Sequence, residues 1–421
     1  MKIVLHSQLS SLLPLIHPQV KILAIARLLS EVGTGFTLIY APIFFVNQVG
    51  LSTTTVGFGL ASASFSGFFG RILGGILTDS PRWGRRHTLL LATAISAVGS
   101  LVLATTNSFV TLVIGNLIYG LGIGLYWPAT EAVVADSSEI DNRREAFAVT
   151  RLADHLGLAI GLILAGLVVT SIQSYRWLFV VDAISFVVFF VVVYVAMKTP
   201  DQLQNQQSQQ PQNLTAWMVA LSDRRFLIYM AANILFTIYI SQIHSTLPLY
   251  LKNFISVGET TQGFTETTIS TLFSWHLILV IICQLPITNI LKRYSHPHAL
   301  TVSAVLWAIG FSLIWVTDNF PSHQLIWVTL ALAVLAMASV AYTPSAASVV
   351  TELAPESHRG IYFSLNSLCW ALGAFIGSPL GGWALEQSPL ITHNFWLGFV
   401  LSVAIAITIL QYLNGVLVNS Q

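Results

Sequence analysis

The chain has 421 residues, 55% of them hydrophobic and only 8% charged, against roughly 25% charged in an average soluble domain. Eighteen Lys and Arg with seventeen Asp and Glu cannot cover a soluble globule of this size, which excludes an ordinary water-soluble enzyme and a disordered chain alike. The net charge of +1 gives no footing for nucleic acid, and the composition is that of a polytopic membrane protein.

A bilayer core about 30 Å thick needs roughly 20 apolar residues per helix. That ruler predicts an all-α chain with twelve spans, near 22–47, 54–78, 88–106, 110–134, 147–171, 178–197, 224–251, 267–291, 299–317, 324–350, 361–385 and 395–416. Only the polar break Thr105–Ser108 divides the third from the fourth, as a helical hairpin requires. Residues 1–21 mix Leu5, Leu12, Leu13, Leu15 and Ile16 with polar residues and show no cleavage site; they read as a short interfacial segment. The one long connection, 199–222, is Gln-rich and low in complexity, so it cannot pack a core. It divides two six-helix bundles, 22–198 and 223–416, and 417–421 remain as a tail.

With the N-terminus inside, the cytoplasmic segments hold thirteen of the eighteen basic residues, and the outer loops hold only Arg176 and Lys252. This positive-inside bias predicts a plasma (inner) membrane protein with both termini cytoplasmic. Cys283 and Cys369 lie in apolar runs and offer no disulfide framework and no metal spacing. There is no phosphate-binding Gly-Lys-Ser/Thr loop, so neither an enzyme, nor a cofactor, nor ATP-driven transport is expected.

The two halves repeat each other. A shift of 216 residues aligns 126–166 with 342–382 without a gap and gives thirteen identities in 41 positions. They include Tyr126/Tyr342, Pro128/Pro344, Arg143/Arg359, Gly157/Gly373, Gly161/Gly377 and Gly166/Gly382. In each copy a Pro-bearing helix is followed by a loop with an acid at its start, Asp136 or Glu352, and an Arg at its end, Arg143 or Arg359. The next helix carries Gly-x-x-x-Gly, which lets two backbones approach closely. Six helices per half start both halves on the same side, as in transporters with parallel repeats.

These features, together with Gly75-Ile-Leu-Thr-Asp79-Ser-Pro-Arg82-Trp-Gly84-Arg85-Arg86 after the second span, resemble the major facilitator superfamily, in its drug-exporter-like branch. The family signature is Gly-x-x-x-Asp-Arg/Lys-x-Gly-Arg/Lys-Arg/Lys; here Ser80 and Pro81 are inserted after the Asp. Gly75 is expected to permit tight helix contact, and Asp79 and Arg82 to form a charge-assisted pair. The resemblance implies that this pair latches against the eleventh helix near Arg359 and closes the cytoplasmic side. The alternative is plain membrane anchoring by Arg85 and Arg86. The second-half counterpart, Gln284 to Arg293, keeps the basic end and lacks the acid. The proton-coupled exporters of the family carry an Arg in the fourth helix; here that register holds Asn116.

An ionisable group inside a span is costly and is a functional-site hypothesis by default. Glu31 lies about nine residues into the first span, roughly 13 Å deep at 1.5 Å per residue. It is either a proton-binding carboxylate or the partner of Arg27, four residues earlier on one face. Asp154 and His155 are further proton candidates. Glu131, Asp136, Arg143, Arg151, Glu352 and Arg359 read as an inner-gate ion cluster near the cytoplasmic helix ends. Asp182 and Arg176 read as anchors of the outer end of span six, and His276 as a core histidine. By resemblance, spans 1, 4, 7 and 10 line a cavity, which makes Asn116, Trp127, Tyr239, Gln242 and Tyr342 its candidate residues; interhelical hydrogen bonding is the alternative for each.

The expected function is secondary active transport with alternating access. Protons drive export of a small amphipathic organic compound, weakly polar or cationic rather than a polyanion. The expected partners are the lipid bilayer, that substrate and protons, and the chain is expected to act as a monomer. The rivals are a uniporter or symporter for a nutrient, supported by Asn116, and a membrane protein that only binds a partner or lipid.

Overall fold

The computed structural model describes residues 17–80, 82–138, 143–172, 174–197, 214–255, 263–291, 293–320, 323–355 and 359–418, and among them every regular element is a helix. In chain order these are α1 (Pro18–Thr37), α2 (Tyr40–Asn47), α3 (Thr53–Asp79), α4 (Gly84–Ala104), α5 (Phe109–Asp136), α6 (Arg143–Ile172), α7 (Arg176–Ala196) and α8 (Leu214–Ser222). The second half continues with α9 (Arg224–His244), α10 (Thr246–Asn253), α11 (Glu266–Leu291), α12 (His296–Asn319), α13 (Gln324–Leu353), α14 (Arg359–Leu385) and α15 (Pro389–Val418). Among the described residues, twelve stretches are long and apolar enough to cross a membrane, and each coincides with a predicted span.

The boundaries differ where a proline sets them. Span one starts at Pro18 and span twelve at Pro389, because a proline at the first helical turn loses no intrahelical hydrogen bond. The Thr105–Ser108 break ends in a capping box: Ser108 Oγ accepts from the Thr111 amide, and Thr111 Oγ1 accepts from the Ser108 amide at 3.1 Å. Spans one and seven are each interrupted late in their course, before Tyr40 and at Ser245. Most of the interfacial segment (1–16), most of the Gln-rich connection (198–213) and residues 419–421 lie outside the described residues. The last nine residues of the predicted linker form α8.

The chain forms two compact units, 1–44 with 62–200, and 45–61 with 201–421. The second unit thus takes in a short stretch that a cut at the linker assigns to the first half. Its bonds account for this. Thr53 Oγ1 donates to the Gly382 carbonyl at 2.7 Å, Thr54 donates to Glu386 through its amide and hydroxyl, and Asn47 and Asn253 exchange amide hydrogen bonds.

In the first unit, Leu23, Leu89, Leu125, Val134, Phe189 and Val193 form a closed core. Gly157 and Gly161 of α6 lie so close to α1 that an added Cβ would overlap the Leu28 and Val32 carbonyl oxygens. In the second unit, Gly373 and Gly377 of α14 do the same against the Thr237 and Ser241 side chains of α9. The two copies of the repeat also share their breaks: α5 ends at Asp136 and α6 opens on Arg143, while α13 ends at Leu353 and α14 opens on Arg359. Both helices run on through Pro128 and Pro344.

Candidate functional site

Among the described residues, buried Asp, Glu, Lys and Arg side chains all lie in the first unit. Arg27 on α1 is 1% exposed and grips Asp154 on α6 with two hydrogen bonds, Nε to Oδ1 at 2.8 Å and Nη2 to Oδ2 at 2.5 Å. The planar fork matches the carboxylate, and the glycine contact at Gly157 brings the two helices within its reach. The expected Arg27–Glu31 pair along one helix therefore gives way to a pair between helices, and Asp154 is the anion of that pair rather than a free proton carrier. The Trp127 ring is half-buried between two guanidinium groups, with Arg27 5.2 Å and Arg151 4.9 Å from its centroid. Arg151, 49% exposed, pairs with Glu131 at 3.1 Å and approaches Asp154 at 4.0 Å.

Glu31 is buried beside Gly157, with no ion pair among the described residues. Arg27, Asp154, Arg151 and Asp182 lie within electrostatic reach of it. His155 is half-buried, and its Nδ1 has no hydrogen-bond partner among the described residues. Asp182 corrects the expectation of an outer anchor. Its side chain is 1% exposed and accepts from Ser100 Oγ on α4 at 2.5 Å. Arg176 alone acts at the helix end, donating to the Ala104 carbonyl at 2.6 Å and lying over Phe44. The signal for Asp182 was in the sequence, as the one acid within span six.

The loop motif is tied down differently from the expected Asp79–Arg82 pair. Both residues are exposed and form no ion pair with each other among the described residues. A turn in which the Trp83 amide donates to the Ser80 carbonyl turns Arg82 to solvent. Arg85 pairs instead with Asp136 at the end of α5, and Arg86 donates to the Tyr194 carbonyl on α7 at 2.6 Å and lies over its ring. Gly84, with φ of +68°, occupies a left-handed conformation that other residues rarely adopt, and it starts α4 there. Gly75 makes no tight contact, since an added Cβ would meet nothing within 4 Å. The close approach belongs to Gly74, one residue earlier, which faces Leu125. Glu352 is exposed and makes no ion pair among the described residues. The side chains of Arg143 and Arg359 lie outside the described residues.

The candidate cavity residues are engaged within their own units. Asn116 is buried and donates to the Leu112 carbonyl of its own helix at 3.0 Å. Tyr239 sits in an aromatic cluster with Trp307, Phe311 and Phe399, its hydroxyl 2.8 Å from Ser402 Oγ. Gln242 donates to the Gly377 carbonyl at 2.9 Å and accepts from Thr246 at 2.6 Å. Tyr342 donates to Asn233 Oδ1 at 2.6 Å. For Tyr239, Gln242 and Tyr342 the interhelical alternative holds. Among the five, Trp127 alone combines partial exposure with neighbouring charge. Asn366, which no motif singled out, accepts from Tyr229 at 2.8 Å and Asn233 at 3.0 Å. His276 is buried, with Nδ1 3.0 Å from the Leu332 carbonyl.

Twelve apolar helices, an internal repeat and a charged interior in one half define a multi-pass membrane transporter. Residues 23–260 and 254–415 match the Major Facilitator Superfamily, and the chain belongs to that family. It is 25% identical over 392 residues to a Na(+), Li(+), K(+)/H(+) antiporter of Planococcus maritimus, covering 85% of this chain and 89% of the relative. It is 22% identical over 402 residues to the multidrug resistance protein MdtH of Aeromonas hydrophila, covering 93% of each. The fold matches the crystal structure of the nucleoside transporter NupG with a TM-score of 0.78 at 17% identity, over 94% of this chain and 99% of that one.

Proposed function

We propose that this transporter exports a small amphipathic organic compound, weakly polar or cationic, in exchange for protons taken up through Glu31. The observation that carries this reading is the buried Glu31 carboxylate beside an Arg27–Asp154 pair that already satisfies the one fully buried cation among the described residues. A carboxylate in that position is free to gain and lose a proton as access alternates between the two sides of the membrane. The relatives named as a cation/proton antiporter and a multidrug resistance protein support the same reading. The plasma membrane location and cytoplasmic termini belong to this proposal and rest on the positive-inside bias.

The test is movement of ethidium, a lipophilic dye cation, in proteoliposomes under an imposed pH gradient. Wild-type protein drives dye against its gradient. Glu31→Gln abolishes that drive, by tenfold or more, and keeps downhill exchange. Unchanged proton-driven movement in Glu31→Gln sinks the assignment. A second reading, uniport or symport of a nutrient, is favoured by neutral Asn116 in the fourth span. It predicts substrate uptake and no dye movement.

A further inference from the structure

Charge in the interior of the first unit does not balance. Among the described residues, Arg27 is the only Arg or Lys in the buried class, whereas Glu31, Asp154 and Asp182 are three buried carboxylates. Asp154 is taken by Arg27, and half-exposed Arg151 is shared with Glu131. Glu31 and Asp182 are left without a cationic partner. An ionised carboxylate in such a position is costly until something positive neutralises it.

Asp182 has the features of a binding group rather than of an anchor. Ser100 Oγ holds Oδ2 at 2.5 Å, while Oδ1 is buried and has no hydrogen-bond partner among the described residues. Ser185, one turn on, donates to the Asp182 carbonyl at 2.7 Å and lies 3.3 Å from the Ser30 carbonyl of α1, which ties α7 to α1 beside the acid. A second buried hydroxyl lies one turn from Ser100 on α4, against Gly122 of α5. Ser96 precedes Ser100 by one turn on α4, is fully buried, and its hydroxyl has no partner among the described residues. Glu31 of α1 and Tyr119 of α5 are titratable groups within electrostatic reach of Asp182, whose backbone packs on α1 at Gly33, two residues from Glu31. On its own helix, Arg176 is engaged by the Ala104 carbonyl.

We propose that Asp182, held by Ser100, forms with Glu31 a two-carboxylate site for a small monovalent cation, a proton or an alkali ion. The role of this site in transport rests on the Glu31 reading above, but its binding chemistry does not. The bound cation removes the unbalanced charge, and oxygen atoms of serine and carboxylate supply hard ligands suited to either ion. Because the two acids sense each other, they titrate as a pair and not singly.

The experiment is infrared difference spectroscopy of the purified full-length protein in lipid. It is run as a pH series in choline, sodium or lithium buffer, on wild type, Asp182→Asn, Glu31→Gln and Ser100→Ala. The wild type is expected to lose two buried carboxylic-acid bands as pH rises. Asp182→Asn removes one band and moves the midpoint of the other by about one pH unit or more. Ser100→Ala keeps the Asp182 band and shifts its frequency, a readout that survives if Asp182→Asn does not fold. A midpoint that falls in sodium or lithium relative to choline identifies an alkali ion as occupant, and an unchanged midpoint identifies the proton. An Asp182 band that persists at every pH, or spectra unaffected by both Asp182→Asn and Ser100→Ala, overturns the proposal. Ethidium movement with Glu31→Gln reads a different property, so the two proposals fail separately.

Discussion

Where Gly157 and Gly161 seat α6 on α1 in the first unit, Gly373 and Gly377 seat α14 on α9 in the second. At the same register of the repeat, however, Glu131, Arg151 and Asp154 are replaced by Ala347, Ser367 and Trp370. The first unit buries ions. The second, among its described residues, buries no Asp, Glu, Lys or Arg, and links Tyr229, Asn233, Tyr342 and Asn366 by neutral hydrogen bonds. The repeat has therefore kept what sets the distance between helices and exchanged what sets the charge between them. Helix approach depends on absent side chains, which any ion can be added to or removed from. This separation lets one half carry an ion-dependent site while the other stays electrically silent on the same backbone.

The sharpest way to break the comparison is to remove one partner of each network. Arg27→Ala leaves buried Asp154 with only the half-exposed Arg151 at 4.0 Å, which is expected to cost up to about 3–5 kcal/mol. The counterpart, Asn366→Ala, leaves neutral donors unsatisfied at about 1–3 kcal/mol. Thermal unfolding of the purified variants should rank them in that order, and Arg27→Leu combined with Asp154→Leu should recover most of the loss. If Arg27→Ala is as mild as Asn366→Ala, the ionic character of the first unit has no energetic weight.

A smaller effect sharpens the shared scaffold. At Gly161 an added methyl meets the Val32 backbone, which cannot turn aside; at Gly377 it meets the Ser241 hydroxyl, a side chain that can. Gly161→Ala is expected to cost about 1–3 kcal/mol by overpacking, and Gly377→Ala less. Equal midpoints in thermal unfolding would show that the second interface is as rigid as the first.

Both the scaffold and the charges leave traces in the sequence, but unequally. Spans and glycine pairs are legible because apolar length and small residues at four-residue spacing each follow from one local requirement. The repeat aligned Arg143 with Arg359 at the loop ends, and α6 and α14 start on them, ahead of the predicted span starts at 147 and 361. Side-chain partners are less legible. Glu31 is the local choice for Arg27, yet the partner is Asp154, 127 residues away, because the glycine seat brings α6 within reach of a long guanidinium. Arg85 likewise finds Asp136 across helices rather than a neighbour in its own motif. Tyr239 belongs to a helix expected to line a cavity, but its ring packs among Trp307, Phe311 and Phe399. A span buried on several sides does not reveal from composition which side a residue takes. Asp182 shows the converse: depth could be counted from the sequence, whereas its bond to Ser100 on another helix could not.

The smallest expected effect tests whether the second unit is silent to acid throughout. One ionisable contact lies at the edge, where exposed Glu386 accepts from the Thr54 amide at 3.2 Å and the Thr54 hydroxyl at 2.5 Å, at the start of α3. Partial burial pushes the Glu386 carboxyl up, but hydrogen bonds from Ser52, from Thr54 and from the backbone at Thr53 and Thr54 outweigh it and leave the pKa lowered. A lowered folded-state value stabilises the contact at every pH above the unfolded value, about 4.3 for Glu. That stability is lost as pH falls through the folded value. The gain of wild type over Glu386→Gln in thermal unfolding should therefore be constant from neutral pH to about 5 and shrink below about 4.3. Solvent screening at an exposed carboxylate keeps it below about 1 kcal/mol. Lys252–Glu266 and His393–Asp318 are further ion pairs of this unit, so Glu386→Gln should remove only the share of its pH dependence that the Thr54 contact carries. An acid dependence in Glu386→Gln identical to wild type would show that the Lys252–Glu266 and His393–Asp318 pairs, and not the Glu386 contact, set the response of this unit.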